Sequence, residues 1–146
     1  MLFRSLRDWA PDPDEAGLDS FHDLHVLLAL LGADELVRAE QWLARAAARV
    51  MQAEDARRSN HAVAREVALP LLRGLLSLAR GDAAAATASL RQGRPQWWRL
   101  GGSAVQRDVL DQTLVVAASR SPHRAVGRAV LNERRMARAA TPLMRR

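Results

Sequence analysis

Apolar residues recur along the chain every three or four positions, the spacing that puts side chains on one face of an α-helix. From Ser20 the stripe runs Phe21, Leu24, Leu28 and Leu31, and Gly32 closes it. Asp34 is placed to cap a second helix, with Leu36, Ala39, Leu43, Ala46 and Val50 facing inward. A third begins near Ser59, with Val63, Val67, Leu71, Leu75 and Leu78 as its inner face. Pro70 lies inside it and predicts a kink, because proline removes one helical hydrogen bond and clashes with the preceding turn. Gly81 ends this helix, and Asp82 caps the next, where Ala83 to Ala86 let a partner backbone come close. That helix runs to about Gln92, and Gly93 and Pro95 stop it.

The stretch from Arg94 to Leu114 is the least generic. It reads as a loop ending in an enforced helix start. Gly101 and Gly102 can take backbone angles closed to other residues. Ser103 and Gln106 form the S-x-x-Q capping box, in which each side chain satisfies an N–H group of the other. Trp97 and Trp98 precede the turn, and rings of this size fill seams between helices. Beyond the box, Val109, Leu110, Thr113, Leu114 and Ala117 form an inner face; Ser121 and Pro122 restart the chain with proline at the first helical position. Val126, Val130 and Leu131 then point inward.

These patterns predict an all-α protein of about six main helices in three antiparallel hairpins, residues 20–53, 56–92 and 103–139. Residues 1–19 precede them as a short helix or linker, and a frayed tail of residues 141–146 follows. Hairpins in series, each apolar toward its neighbour, predict a right-handed α-solenoid of tetratricopeptide-repeat type; a plain helical bundle is the alternative. The turn glycines Gly32 and Gly81 lie roughly 50 positions apart, against about 34 in a regular tetratricopeptide repeat, so the repeats are long. Leu2, Phe3, Leu6 and Trp9 recur at helical spacing until Pro11, Asp12, Pro13 and Asp14 break it. So apolar a face predicts a cover, by self-association or by an upstream partner.

Composition narrows this picture. Apolar residues reach 49 % while aromatics are only 4 %, an alanine-rich balance that favours close-packed helices over sheets. No apolar run is long enough to span a membrane, and the N-terminus lacks the apolar core of a secretory signal. With no cysteine there is no thiol chemistry, which fits a cytoplasmic setting. The net charge is +6, and all 22 basic residues are arginine. They are interleaved with Asp and Glu, so a solvated surface is the leading expectation and a nucleic-acid-binding surface the alternative.

Two blocks, F-H-D-L-H-V-L-L-A-L-L-G-A (Phe21–Ala33) and G-G-S-A-V-Q-R-D-V-L-D-Q-T-L (Gly101–Leu114), resemble the C-terminal part of the tetratricopeptide repeat protein 38 family and its bacterial relatives. Their order and distance match, and L-F-R-S-L with Trp9 is similar to the segment preceding the first block there. The resemblance implies that His22, Asp23, His25, Gly101 and Asp108 belong to a structural motif. It also implies that the chain corresponds to the last third of a longer helical-repeat scaffold for protein interactions. It brings no catalytic residue.

Candidate chemistry is sparse. His22 and His25, at i and i+3, could share a metal, but no third ligand is evident; the alternative is that His25 packs beside Leu24 and Leu28 while His22 or Asp23 hydrogen-bonds a neighbouring hairpin. Ser103 lacks a nucleophile elbow and is occupied as a cap. The free N–H groups of Gly102, Ser103 and Ala104 at the helix start, with Gln106 and with Arg99 and Arg107 close in sequence, could hold a carboxylate or phosphate, and Trp97 and Trp98 could form an aromatic platform. A structural cap, with Asp108 or Asp111 pairing an arginine, is the competing expectation. The sequence thus predicts a non-enzymatic scaffold that binds a protein or peptide, with no cofactor, no metal and no membrane, nucleic acid being the less favoured partner.

Overall fold

The structure, a computed structural model, describes residues 9–52 and 59–139. Among them the fold is all-helical, without a strand. Helix α1 spans Ser20–Gly32, α2 Leu36–Val50, α3 Ser59–Val63, α4 Leu69–Ala79, α5 Ala83–Gly93, α6 Ala104–Arg120 and α7 Arg124–Ala139. A π-helical segment, Ala64–Ala68, joins α3 to α4, so the two run on as one helix and the main helices among the described residues number six. From α4 onward each helix packs on the next; α2 packs on α1 and α4, and α1 also lies against the π-helical segment.

The core is mainly aliphatic, with Trp42 and Trp97 as its aromatic members. Leu27, Leu30, Val67, Leu71, Leu72, Leu90, Leu114 and Val130 are fully enclosed. Each contributes about 1.5–3 kcal/mol of burial free energy. The stripe of α2 forms as its periodicity predicts, with Trp42 added. That of α1 does so only in part: Leu24 is buried and Phe21 and Leu31 are partly covered, but Leu28 is exposed, and the burial centres one position away, on Ser20, Asp23, Val26, Leu27 and Leu30. On α6, Leu110, Leu114 and Ala117 are buried but Val109 is exposed and Thr113 only partly covered; on α7, Val130 is buried and Leu131 exposed.

Three local features have physical causes. Asp34 does not cap α2. It sits at φ +59° as the left-handed residue ending α1, with its N–H donating to Leu31 O (3.1 Å) and that of Glu35 to Leu30 O (2.9 Å), the Schellman pattern. Gly81 holds the same place after α4 at φ +85°, and Asp82 does cap α5 through Ala85 N–H. At Pro70 the ring is accommodated by a π-helical turn. The π-helical turn before it carries one extra residue, moving the backbone away from a ring that would otherwise strike the carbonyl four residues back. Pro122 stands in the link rather than at the first helical position: Ser121 ends α6, its hydroxyl accepts from His123 N–H (3.3 Å), and α7 begins at Arg124.

The N-terminal segment is latched onto the first hairpin. Pro13–Glu15 form a short 3-10 helix capped by Asp12. Arg49 donates to the carbonyls of Ala16 (2.8 Å) and Asp14 (2.7 Å), and Arg38 to that of Trp9 (2.7 Å). Leu2, Phe3 and Leu6, on which the expected self-association rests, and the expected tail lie outside the described residues. No helix among those described is long and apolar enough to cross a membrane.

Candidate functional site

The stretch Arg94–Leu100 is a 3-10 helix rather than an open loop. Pro95 fits its first turn, where the missing N–H costs nothing. On this tight helix successive side chains diverge by about a third of a turn. Trp97 therefore enters the core at 3 % exposure while Trp98 stands out at 67 %. The indole Nε1 of Trp97 is buried without a partner among the described residues. Gly101 and Gly102 follow at φ +82° and +78°, reversing the chain. A Cβ on Gly102 would lie 2.9 Å from Phe21 Cε2, so the turn is seated against α1. Ser103 then opens α6 with a complete capping box: Gln106 N–H donates to Ser103 Oγ (3.2 Å), and Ser103 N–H to Gln106 Oε1 (2.8 Å).

Two grooves flank this joint, and Trp97 and Arg107 line both. The first, about 380 Å³, lies between the 3-10 helix, α6 and α7, and is charged. Asp111 is held between Arg94 Nε and Arg134 Nη1, both at 2.7 Å. Asp108 meets Arg134 at 3.2 Å and Arg138 at 3.4 Å, and Arg94 reaches on to Glu133 at 3.3 Å. Asp108 also accepts from Gln112 Nε2 at 2.7 Å; this hydrogen bond first, and the neighbouring guanidiniums after it, hold its carboxyl below the usual aspartate range. The lining carries Arg94, Arg107, Arg134 and Arg138 against Asp108 and Asp111, an excess of two positive charges. The second groove, about 130 Å³, is apolar, walled by Phe21, Leu24, Leu28, Val109 and Leu110. Arg107 stands where the two meet. It donates to Gly102 O (3.0 Å) and has no acidic partner among the described residues.

The structure separates some of the residues grouped from the sequence. Arg99 does not face the start of α6. It binds Glu66 at 2.7 Å and Gln96, tying the 3-10 helix to the π-helical segment, and its hydrogen bond and charge keep the Glu66 carboxyl low. Trp97, Trp98, Gln106 and Arg107 do border the grooves, and Gly101 with them. Asp108 and Asp111 pair with arginines, but these are Arg94, Arg134 and Arg138, which residue-by-residue reading missed. Their signal was available as two spacings: acids three apart on α6 and arginines four apart on α7, on the facing sides of one hairpin.

His22, Asp23 and His25 go to three different places. His22 Nε2 lies 3.1 Å from Glu15 Oε2, and His25 Nδ1 lies 2.7 Å from Phe21 O. Asp23 is buried, where it accepts from Gly17 N–H (3.0 and 3.2 Å) and from Trp42 Nε1–H (2.9 Å). Burial pushes its carboxyl above the usual aspartate range, against the opposing pull of these hydrogen bonds. Among the described residues no group of three or more metal-ligating side chains converges. Compared with known proteins, the chain matches no family model and no solved structure.

Proposed function

We propose that this protein is a non-enzymatic helical-repeat scaffold, an α-solenoid of antiparallel hairpins, which binds an acidic peptide with an apolar anchor where the two grooves meet. The observation that carries the reading is Arg107: a half-buried guanidinium without an acidic partner among the described residues, at the junction of a cationic and an apolar groove. A carboxylate there gains charge-assisted hydrogen bonds, and an aliphatic or aromatic side chain beside it fills the space between Phe21, Leu28 and Leu110. Trp98, largely exposed on the charged side, offers a flat surface to the peptide backbone. Serial packing of hairpins and the resemblance to the tetratricopeptide repeat protein 38 family support the solenoid; the cysteine-free sequence supports a cytoplasmic setting.

The test is a fluorescence-anisotropy titration against short peptide pools that fix Glu or Asp next to Leu or Phe. Selected peptides are expected to weaken at least about tenfold with Arg107→Gln and with Leu28→Arg, and also when their own Glu becomes Gln. Equal affinity in both variants, with unchanged melting, removes the reading.

A further inference from the structure

The arginines are not evenly neutralised. On α5, Arg91 reaches Glu133; on α4's flank Arg80 reaches Glu40; and Arg94, Arg99 and Arg134 each meet a carboxylate. Helix α7 differs. Its single acid, Glu133, is turned toward Arg91 and Arg94, and Arg134 toward Asp108 and Asp111. The remaining side of α7 presents Arg124, Arg128, Leu131 and Arg135, spaced four, three and four residues apart and therefore on one face. All four are exposed, and the three arginines have no acidic partner among the described residues. Arg138 continues the row, leaning toward Asp108.

We propose that this outward face of α7 is a binding surface for the phosphate backbone of a nucleic acid. It lies on a different side of α7 from the ion pairs of the groove, and it stands or falls without the peptide reading. Arg124 to Arg135 span about 17 Å of helix, in steps of about 6 and 10 Å. Along one strand of a duplex the phosphates advance about 3.4 Å each, so the row meets roughly every second or third of them. Guanidinium groups bind phosphate bidentately, and no acid among the described residues competes for them on this face. A protein partner fits less well. Protein interfaces, though they favour arginine, build their centres from aromatic and apolar side chains, whereas this face offers one leucine among arginines, the polar and cationic profile of a nucleic-acid interface.

The experiment uses fluorescein-labelled single-stranded RNA of about 20 nucleotides and duplex DNA of about 20 base pairs, titrated at about 50 and 200 mM salt. Binding to either is expected, and the two arms tell which form the face prefers. Replacing Arg124, Arg128 and Arg135 together by Gln is expected to weaken binding at least about tenfold and to flatten the salt slope by about two to three units, while replacement by Lys retains most of it. Arg45→Gln with Arg73→Gln, a change of exposed arginines on α2 and α4, is expected to leave the affinity within about twofold. No binding at the lower salt overturns the proposal, as does an equal loss in the α2/α4 control, which would reduce the effect to net charge. Complete displacement by polyglutamate at equal charge concentration also overturns it, because the face would then take any acidic chain, protein included.

Discussion

In the first hairpin the decisive polar group is a carboxylate taken out of water, Asp23, met by one backbone N–H and one indole N–H. In the last hairpin it is a row of partly exposed carboxylates, Asp108, Asp111 and Glu133, laced to Arg94, Arg134 and Arg138. The two depend on different physics. Asp23 pays for desolvation and is held by short, fixed donors that salt scarcely screens. The arginine row gains from charge, and mobile ions weaken it where it is exposed. Their responses to pH are opposite in sign. The Asp23 carboxyl is raised in the folded state, so its favourable contribution is complete below the ordinary aspartate value of about 3.9 and is lost as pH rises through the raised one. Asp108 is lowered, so its contribution is present above that ordinary value and lost as pH falls through the lowered one.

The sharpest way to break this contrast is Asp23→Ala. It strands the Gly17 and Trp42 donors in the core and is expected to cost about 3 kcal/mol in urea denaturation, with the same cost at low and high salt. Arg134→Ala removes a partner from both Asp108 and Asp111; the expected loss is about 1–2 kcal/mol, shrinking when the titration is repeated in high salt. If the two losses respond equally to salt, the distinction fails. Smaller still, Asp34→Gly is expected to stabilise the first hairpin by about 0.5–1 kcal/mol, because it relieves a left-handed residue at the place where the second hairpin already has glycine. Finally, Asp23→Asn keeps an acceptor oxygen for Trp42 but cannot charge. Unfolding followed by Trp fluorescence from pH 3 to 7 is then expected to lose the decline with rising pH that Asp23 causes, and to keep the acid-side loss from Asp108.

What the sequence made legible follows the same line. Helix α2 also meets several neighbours, but arginines and other polar residues separate its apolar positions, so its buried stripe could be read directly. Helix α1 touches α2, α4 and the π-helical segment at once. With apolar residues on nearly every side, periodicity could not choose among faces, and the predicted stripe fell one residue off. Asp23 was visible as a residue type, but its burial depended on a glycine six positions back and a tryptophan on the next helix. The turn at Gly101 and Gly102 and the capping box were legible because they are local. The ion pairs of Arg134 join residues 23 and 26 apart and exist only once α6 and α7 are folded side by side.

The π-helical turn at Ala64–Ala68 has a consequence of its own. A helix that holds one surplus residue has slipped its phase by about 100° relative to an uninterrupted one. Everything after it, including the Leu71 and Leu75 face and the glycine at position 74 that lies against Leu90, is aimed by that slip. Deleting a single alanine there would leave composition and hydropathy almost untouched, yet it would swing the rest of the helix out of alignment with α5. The chain thus carries, in the five residues Ala64–Ala68, the setting that determines how this helix meshes with α5.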